Sequence, residues 1–270
     1  MKLYLFCWSN LDIRIYTIIV LFMISLSIVL PMKTSANPLM IAHAGGGVDG
    51  KRYTNSLEAL DLNYVKGFRY FEIDFSWTSD NQLVCLHDWK KRFKLNFGYK
   101  TKNPLSLQQF HILLDKQEDR HPCTLETLSN WVSLHQDSTI ITDVKFDNIN
   151  AIKHIKKYYP DLIKNIVPQF YQPYEYKVLK HMGFKKLIWI LYQFEGKKSS
   201  IREQAKDMDL LAISMRASQV KKKWAQDLIK SNQFVFVYTI NKIKDLNRLT
   251  KKYGVTGIYT DFLPIINLEL

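Results

Sequence analysis

The chain has 270 residues, 47% of them hydrophobic, and a formal net charge of +13 at pH 7. This length suffices for one large hydrophobic core, and the sequence has no internal repeat or low-complexity linker, which excludes a repeat protein. The positive charge favours anionic ligands such as phosphodiesters, lipid headgroups and polyanionic polymers. Because the basic clusters are short and dispersed, we expect no nucleic-acid partner, and nothing in the sequence implies a protein partner.

The N-terminal segment has the composition of an export signal. Residues 15–32 are a nearly unbroken apolar run, preceded by Lys2 and Arg14 and followed by a polar stretch that contains Ala36. We predict that residues 1–36 are a secretory signal peptide cleaved after Ala36. The alternative is an uncleaved membrane anchor, because an apolar run of this length can just span a bilayer. In either case the domain of residues 37–270 is expected outside the cytoplasm, either periplasmic or secreted.

The first two predicted strands carry polar side chains at or near their ends. Residues 39–43 form an apolar run that ends in His43, and three nearby glycines would let a ligand approach the backbone closely. Residues 69–75 form a second strand with Glu72 and Asp74, which lie two apart and therefore on one face. Two carboxylates on one strand face can hold a hard cation.

A third predicted strand, residues 83–87, ends in His87. The connection that precedes it is too short for a parallel crossover, which predicts an antiparallel β-hairpin. A two-residue turn, with Ser79 paired with Gln82, places Asp74 directly opposite His87. Two imidazoles that exchange protons near neutral pH, beside a cation held by carboxylates, would be equipped for metal-assisted cleavage of a phosphate ester.

Predicted strands and helices alternate along the rest of the chain. The strands cover residues 139–145, 163–170, 186–192, 209–214, 234–240 and 256–260, and the helices cover residues 124–136, 147–158, 174–182, 199–208, 219–231 and 242–252. With the first two strands this gives eight parallel strands, which predicts the α/β class and a (β/α)8 TIM barrel with a β-hairpin after strand 2. Residues 89–123 are predicted as a long irregular insertion at the barrel mouth. Active sites of such barrels lie at the carboxyl ends of the strands.

Two cysteines, Cys85 and Cys123, remain after cleavage of the predicted leader. In an exported chain they can form a disulfide. The alternative is that Cys85 faces the barrel interior as a small apolar residue. The sequence contains neither a Cys-x-x-Cys nor a His-Glu-x-x-His pattern, so no zinc motif is indicated.

The order of these motifs resembles that of the glycerophosphodiester phosphodiesterase family, within the phospholipase-C-like barrel phosphodiesterases. That family has His-Arg-Gly, then Glu-Asn-Thr before a helix, then Glu-x-Asp, then a strand that ends in His-Asp. The matching residues here are His43-Ala44-Gly45, Thr54-Asn55-Ser56, Glu72-Ile73-Asp74 and His87-Asp88, followed by similar strands at residues 140–145, 237–241 and 257–261. The resemblance spans roughly residues 39 to 264.

The resemblance implies a role for each of these polar residues. His43 and His87 would be the catalytic acid and base, in an order that the sequence leaves open. The three carboxylates Glu72, Asp74 and Asp143 would bind one divalent cation, Ca²⁺ or Mg²⁺, because all are hard oxygen donors. The predicted substrate-binding and phosphate-binding residues are Lys145, Asn55, Arg52 and Tyr238. A route through a cyclic phosphate is also open.

Two departures from the family pattern indicate a divergent member. Ala44 stands where the family has an arginine, so a bidentate phosphate contact is missing unless Lys51, Arg52 or another cation replaces it. Asp143 stands where the family has a glutamate that is one methylene longer. These changes suggest a different phosphodiester or an altered activity.

The sequence therefore predicts metal-dependent hydrolysis of a phosphodiester in lipid or cell-envelope metabolism. The expected substrate is a small-molecule or lipid phosphodiester that resembles a glycerophosphodiester or a phospholipid headgroup, and an anionic membrane surface or polymer is a further candidate partner. The alternative is a noncatalytic barrel that binds polyanions or lipid headgroups at the cell surface. The pair of histidines beside three acids argues against that alternative, since a pure binding protein needs no matched acid and base.

Overall fold

The computed structural model describes residues 37–265 of the chain. The predicted leader or anchor, residues 1–36, lies outside the described residues, so its cleavage stays a prediction. Within the described residues, no helix is both long and apolar enough to cross a membrane.

Eight parallel strands close into a barrel around the centre of the described part. The strands of the sheet are β1 (Leu39–Ala42), β2 (Tyr70–Trp77), β3 (Leu83–Cys85), β4 (Thr139–Val144), β5 (Ile166–Phe170), β6 (Ile188–Ile190), β7 (Ala212–Arg216), β8 (Val235–Tyr238) and β9 (Gly257–Thr260). Their order is β1-β9-β8-β7-β6-β5-β4-β2-β3, and the pairing of β1 with β2 closes the ring. Only β3, which pairs antiparallel with β2, lies outside that ring. The predicted TIM barrel is thus confirmed.

Helices follow most of the barrel strands. They are α1 (Leu57–Val65), α2 (Lys91–Phe97), α3 (Leu107–Leu114), α4 (Leu125–Leu134), α5 (Asn148–Tyr158), α6 (Pro173–His181), α7 (Ile201–Ala205), α8 (Lys223–Lys230) and α9 (Ile243–Asn247). Side-chain caps define several of their first turns. Ser56 accepts a hydrogen bond from the backbone of Ala59 at the start of α1, and Thr124 accepts one from Thr127 at the start of α4.

Several predicted boundaries are wrong by a few residues. The strand predicted from residue 163 begins at Ile166, because the proline-initiated 3-10 helix Pro160–Asn165 occupies the preceding residues. The helix predicted over 242–252 is divided into α9 and the π-helical turn Arg248–Lys252. These differences leave the order of the elements unchanged.

The insertion between β3 and α4 is not irregular as predicted, because it contains α2 and α3. A small separate core explains both helices: Phe93 of α2 and Phe110 of α3 are fully buried against Val84 and Leu86. The dense positive charge of α2 hides this apolar spacing in the sequence. A capping box between Ser106 and Gln109 starts α3.

The predicted register of the hairpin is wrong by one residue. Phe75 pairs with Cys85, so Asp74 is level with Leu86 and not with His87. The turn has three residues between Thr78 and Gln82, whose backbone groups are hydrogen-bonded, and Asn81 adopts a φ of 57°. A three-residue turn needs positive φ at one position only, whereas the predicted two-residue turn needs it at two. His87 lies beyond β3, so the loop sets its orientation.

A disulfide joins Cys85 of β3 to Cys123, which precedes α4. The backbone N–H of Cys85 also donates to the carbonyl of Cys123 at 2.7 Å. Of the two alternatives for these cysteines, the structure therefore has the disulfide. The bond fixes β3, and with it the approach to His87, against the barrel wall.

Side-chain alternation divides the barrel interior into an apolar floor and a polar upper layer. The floor consists of Ile41, Ile141, Val167, Ile188, Ala212, Phe236 and Tyr259. Two residues further along the same strands, the chain places polar side chains such as His43 after Ile41 and Asp143 after Ile141. Strand parity thus points the functional candidates into one cavity at the carboxyl ends of the strands.

Candidate active site

Three buried carboxylates form a potential metal site at the top of β2 and β4. One oxygen each from Glu72, Asp74 and Asp143 can be chosen so that all lie within 4.8 Å of one another. Asp74 and Asp143 are paired in the parallel register of the two strands, which explains why their side chains are neighbours. All three residues are at most 6% exposed. Carboxylate oxygens in such a cluster suit a hard divalent cation.

Electrostatics support that fit. Burial and the neighbouring charge of Asp74 raise the pKa of Glu72 to about 8. Burial would also raise the pKa of Asp74, but the charges of Lys145, His87 and His43 outweigh it and lower the pKa to about 2. At neutral pH Glu72 is therefore mostly protonated, because a second negative charge beside Asp74 is unfavourable in a buried site. A dication would relieve this repulsion, so the residues present fit a divalent metal.

Lys145 provides positive charge beside two of the acids. Its Nζ lies 2.9 Å from Oδ1 of Asp74 and also contacts Oδ2 of Asp143. Burial would lower the pKa of Lys145, yet the charges of Asp143 and Asp74 raise it well above its usual value. The hydroxyls of Tyr171 and Tyr192 donate to the other oxygen of Asp143. These donors hold the shorter Asp143 side chain in position.

His43 is oriented by a carboxylate that sequence analysis did not select. Its Nδ1 lies 2.7 Å from Oδ1 of Asp261, whose Oδ2 accepts a hydrogen bond from Asn241. The other ring nitrogen, Nε2, lies 4.0 Å from Glu72. Burial would lower the pKa of His43, but the bond to Asp261 and the charge of Glu72 raise it overall. Asp261 resembles a simple turn residue in the sequence, although its parity with the interior residue Tyr259 was an available signal.

His87 has a comparable arrangement. Its Nδ1 lies 2.8 Å from Oδ2 of Asp88. The other oxygen of Asp88 accepts hydrogen bonds from the backbone N–H groups of Lys90 and Arg92, at the start of α2. The insertion therefore fixes the orientation of the His87 ring through Asp88.

Tyr53 lies between the two histidines. Its ring centre is 4.6 Å from that of His43 and 5.3 Å from that of His87, both in edge-to-face geometry. The guanidinium of Arg92 lies 3.6 Å from the centre of the Tyr53 ring. Tyr53 was not among the predicted site residues, because an isolated tyrosine in a loop carries no sequence pattern.

A cavity of about 580 Å³ joins these groups. Its wall includes seven of the predicted site residues, namely His43, His87, Glu72, Asp74, Asp143, Lys145 and Tyr238. It also includes residues that sequence analysis did not select, among them Tyr53, Gln169, Tyr192, Arg216 and Tyr259. A cavity of this size is in the range that holds small organic ligands.

Two predicted substrate-binding residues do not line the cavity. Asn55 is fully buried behind Asp74: its Nδ2 donates to the carboxylate at 3.1 Å, and its Oδ1 accepts from the Asp74 backbone at 2.9 Å. It therefore positions a candidate metal ligand. Arg52 is exposed and does not line the cavity. Burial would raise the pKa of Asp261, but the contacts with His43 and Asn241 and the charge of Arg52 lower it overall.

Ala44, at the family's arginine position, has a structural role of its own. It adopts a φ of 51°, and its backbone N–H donates to Oε2 of Glu72 at 2.8 Å. The first loop thus holds Glu72 through its backbone, without a cationic side chain at this point.

Comparison with known proteins agrees with this geometry. Residues 46–264 match the glycerophosphoryl diester phosphodiesterase family. The glycerophosphodiester phosphodiesterase of Thermotoga maritima shares 19% identity and a TM-score of 0.66, over 84% of this chain and 95% of that one. An enzyme of the same description from Parabacteroides distasonis shares 20% identity and a TM-score of 0.60, over 84% and 94%. At such identities the likeness establishes the fold.

A search of curated proteins gave no match. The family match nevertheless covers most of the chain, including the acidic cluster and His87. The chain belongs to the glycerophosphoryl diester phosphodiesterase family, whose members are metal-dependent, and it is a phosphoric diester hydrolase.

Proposed function

We propose that this protein hydrolyses a phosphodiester of the glycerophosphodiester or phospholipid-headgroup type, with His43 and His87 as the acid–base pair. One observation carries the proposal: two imidazoles line the same cavity as three clustered acids, and each has a carboxylate at its Nδ1. A binding protein has no need of this arrangement, whereas general acid–base catalysis uses imidazoles positioned in this way.

Glu72, Asp74 and Asp143 are the residues that would hold the cation, and their oxygen-only set supports Ca²⁺ or Mg²⁺. When bound, the cation would offset charge that develops on the phosphate oxygens in the transition state. Asn55, the Ala44 backbone and Tyr171 hold these ligands in position. Lys145, which lies beside two of them, provides a point charge for the phosphate.

The histidines are arranged to move protons at defined atoms. Because Nδ1 of His43 and Nδ1 of His87 are engaged by carboxylates, Nε2 of each ring is the atom available for proton transfer. One Nε2 would take the proton of the nucleophile, either water or a neighbouring substrate hydroxyl, and the other would protonate the leaving alkoxide. Asp261 and Asp88 stabilise the imidazolium that forms at each step.

The composition of the insertion supports a lipid or cell-envelope context. Residues 89–105 contain no acidic residue, and all five of their lysines are exposed: Lys90, Lys91, Lys94, Lys100 and Lys102. Leu95 and Tyr99 are exposed beside them, at 61% and 45%. Cationic and apolar groups on one segment suit an anionic membrane surface or polymer. The leader-like N-terminus and the disulfide support a location outside the cytoplasm.

The test is an assay of the purified protein on glycerophosphocholine, glycerophosphoethanolamine and glycerophosphoglycerol. Turnover by the wild type should fall by at least about 100-fold in His43→Ala and in His87→Ala. His181→Ala is the matched control, because His181 is exposed on α6, does not line the cavity, and bonds to the carbonyl of Lys177. Equal activity in all variants would overturn the two-histidine mechanism.

A noncatalytic barrel that binds polyanions is the second candidate, and the alanine at position 44 favours it. The same variants separate the two candidates. If no diester is hydrolysed, and if His43→Ala and His87→Ala bind a glycerol-phosphate polymer as tightly as the wild type, the binding function replaces the catalytic one.

A further inference from the structure

Arg216 is an exposed residue that lines the cavity on the side opposite β2. It is the last residue of β7, two and four residues after the interior side chains of Ser214 and Ala212, and it lines the cavity wall. Around the closed barrel, β7 is four strands from β2 in either direction. Arg216 is therefore placed across the cavity from the strand that carries Glu72 and Asp74.

The charge of Arg216 is not neutralised. Lys145, the other lysine or arginine in the wall, contacts two carboxylates. In contrast, no carboxylate among residues 37–265 lies within ion-pair distance of Arg216. A guanidinium remains charged at all relevant pH values and binds planar anions with paired hydrogen bonds. This end of the cavity thus offers a free cation to a ligand.

Two neighbouring polar groups have unused hydrogen-bonding capacity. Tyr238 is level with Arg216 in the register of β7 and β8, and its buried hydroxyl, beside the Arg216 guanidinium, donates to no acceptor among residues 37–265. Oε1 of Gln169, a residue with no exposed surface that also lines the cavity, accepts no hydrogen bond within the same range. Burial raises the pKa of Tyr238 to about 12, so the hydroxyl stays protonated and can donate. Buried polar groups without partners are rare in folded proteins, and in a cavity they indicate the position of a ligand.

The strand order places these groups away from the carboxylates of β2. Around the barrel, β7 with Arg216 and β8 with Tyr238 are four and three strands from β2, and Gln169 on β5 lies between them and Asp143 on β4. A phosphate bound beside the acidic cluster and the histidines would direct one of its alcohol groups across the cavity. That alcohol group would meet a cation, a hydroxyl donor and an amide acceptor.

We propose that Arg216, Tyr238 and Gln169 form a subsite for a second anion. The preferred substrate is then a phosphodiester that carries a carboxylate or a further phosphate on one of its alcohol groups. Arg216 pairs with this anion, Tyr238 donates a hydrogen bond to it, and Gln169 accepts one from a neighbouring hydroxyl. The proposal rests on the phosphodiesterase function proposed above, because it extends the substrate of the same cavity.

A binding measurement tests the subsite independently of turnover. Calorimetry on the full-length, Mg²⁺-loaded protein would compare glycerol 3-phosphate, 3-phosphoglycerate and glycerol 1,3-bisphosphate. The wild type should bind at least one two-anion probe about tenfold more tightly than glycerol 3-phosphate. Arg216→Met should remove that advantage, and Arg216→Lys should retain part of it. The preferred probe shows whether the second anion is a carboxylate or a phosphate.

Arg202→Met is the matched control, because Arg202 is an exposed arginine of α7 outside the cavity wall. It should keep the advantage of the two-anion probe. The proposal is overturned if the wild type does not favour either two-anion probe, if the advantage survives in Arg216→Met, or if that variant weakens all three probes equally. The last result would mean that Arg216 holds the common phosphate.

Kinetics separate the failure of the subsite from the failure of the proposed function. For a glycerophosphoglycerol that carries a terminal phosphate, Arg216→Met should raise KM about tenfold more than for unmodified glycerophosphoglycerol. If both diesters are hydrolysed and Arg216→Met raises KM equally for both, the subsite is contradicted and the phosphodiesterase function is not. Absence of turnover with every diester would contradict the function, and calorimetry would still decide the subsite.

Discussion

At the scale of single residues, Asp261 fixes the orientation of the His43 imidazole. Asp261 engages Nδ1 and shares its other oxygen with Asn241, so the ring is held with Nε2 towards Glu72. A similar contact links Asp88 to His87. Acid–base catalysis depends on a fixed ring orientation and on the stability of the imidazolium. Asp261 and Asp88 provide both for His43 and His87.

Asp261→Asn should lower kcat by about 100-fold or more while KM changes little, since the variant loses the partner of His43 and keeps the cavity. The bond to Asp261 raises the pKa of His43, so its loss should move the titration of that ring to lower pH. NMR titration of the metal-free protein would measure the shift. Asp245→Asn, at a surface pair with Arg248, is the control. An unchanged His43 titration would show that Asp261 has no such role.

The residue scale also shows what could be predicted from the sequence. Strand parity alone directs Glu72, Asp74 and Asp143 to one rim, because interior positions recur every second residue. Asp261 obeys the same parity but follows the strand end, where a turn residue is the usual interpretation. Arg216 carried no signal, since its position opposite β2 follows only from closure of the barrel.

At the scale of elements, the disulfide and the insertion control the entrance. The insertion was predicted to be irregular because basic residues interrupt the apolar spacing of α2, and the packing of Phe93 against Val84 is not visible in one sequence. The hairpin register could not be derived either, since two-residue and three-residue turns both fit the chain and differ by one residue.

Loss of the disulfide should destabilise the barrel. Cys85 and Cys123 are 38 residues apart, so their bond constrains a long loop of the unfolded chain. Replacing both by serine should lower the free energy of unfolding by about 2–4 kcal/mol, measured by urea denaturation. The wild type under reducing conditions is the control, because it lacks the same bond and should unfold with the same free energy as the double variant. Equal stability of the double variant and the wild type under oxidising conditions would contradict this prediction.

The insertion should bind anionic surfaces. Lys91→Glu with Lys94→Glu should weaken binding to phosphatidylglycerol vesicles, measured by co-sedimentation, by at least about 30-fold, because each lost lysine contributes about 1 kcal/mol and each new carboxylate is repelled. Lys185→Glu with Lys186→Glu, in the loop before β6 at the other end of the barrel, makes the same change in charge. Equal losses in both pairs would mean that net charge, and not the insertion, causes binding.

At the scale of the whole molecule, eight parallel strands bring residues from distant parts of the sequence around one cavity. The alternation of strands and helices was sufficient to predict the barrel, which is confirmed. The apolar floor supports an upper layer in which buried acids repel one another, as the raised pKa of Glu72 indicates. The repulsion among these acids destabilises the folded protein when no cation is bound, and a bound cation would relieve it.

Cation binding should therefore stabilise the fold. At 100 times its dissociation constant, one bound Ca²⁺ or Mg²⁺ contributes about 2.7 kcal/mol, which should raise Tm by about 5–10 °C. Differential scanning calorimetry with and without EDTA would measure the increase. Asp143→Asn should reduce it, while Asp227→Asn, a half-buried residue of α8 that pairs with Lys223, should not. An unchanged Tm at saturating cation would contradict a metal site at the acidic cluster.

The most direct test of the central claim, a cation-dependent phosphodiesterase centred on Glu72, Asp74 and Asp143, is a titration of activity. The protein is stripped with EDTA, and Ca²⁺ or Mg²⁺ is added back while hydrolysis of a glycerophosphodiester is followed by ³¹P NMR. We predict no turnover without cation, recovery as one cation binds per chain, and no recovery in Asp74→Asn. Full turnover in excess EDTA, or recovery in Asp74→Asn equal to that of the wild type, would contradict it.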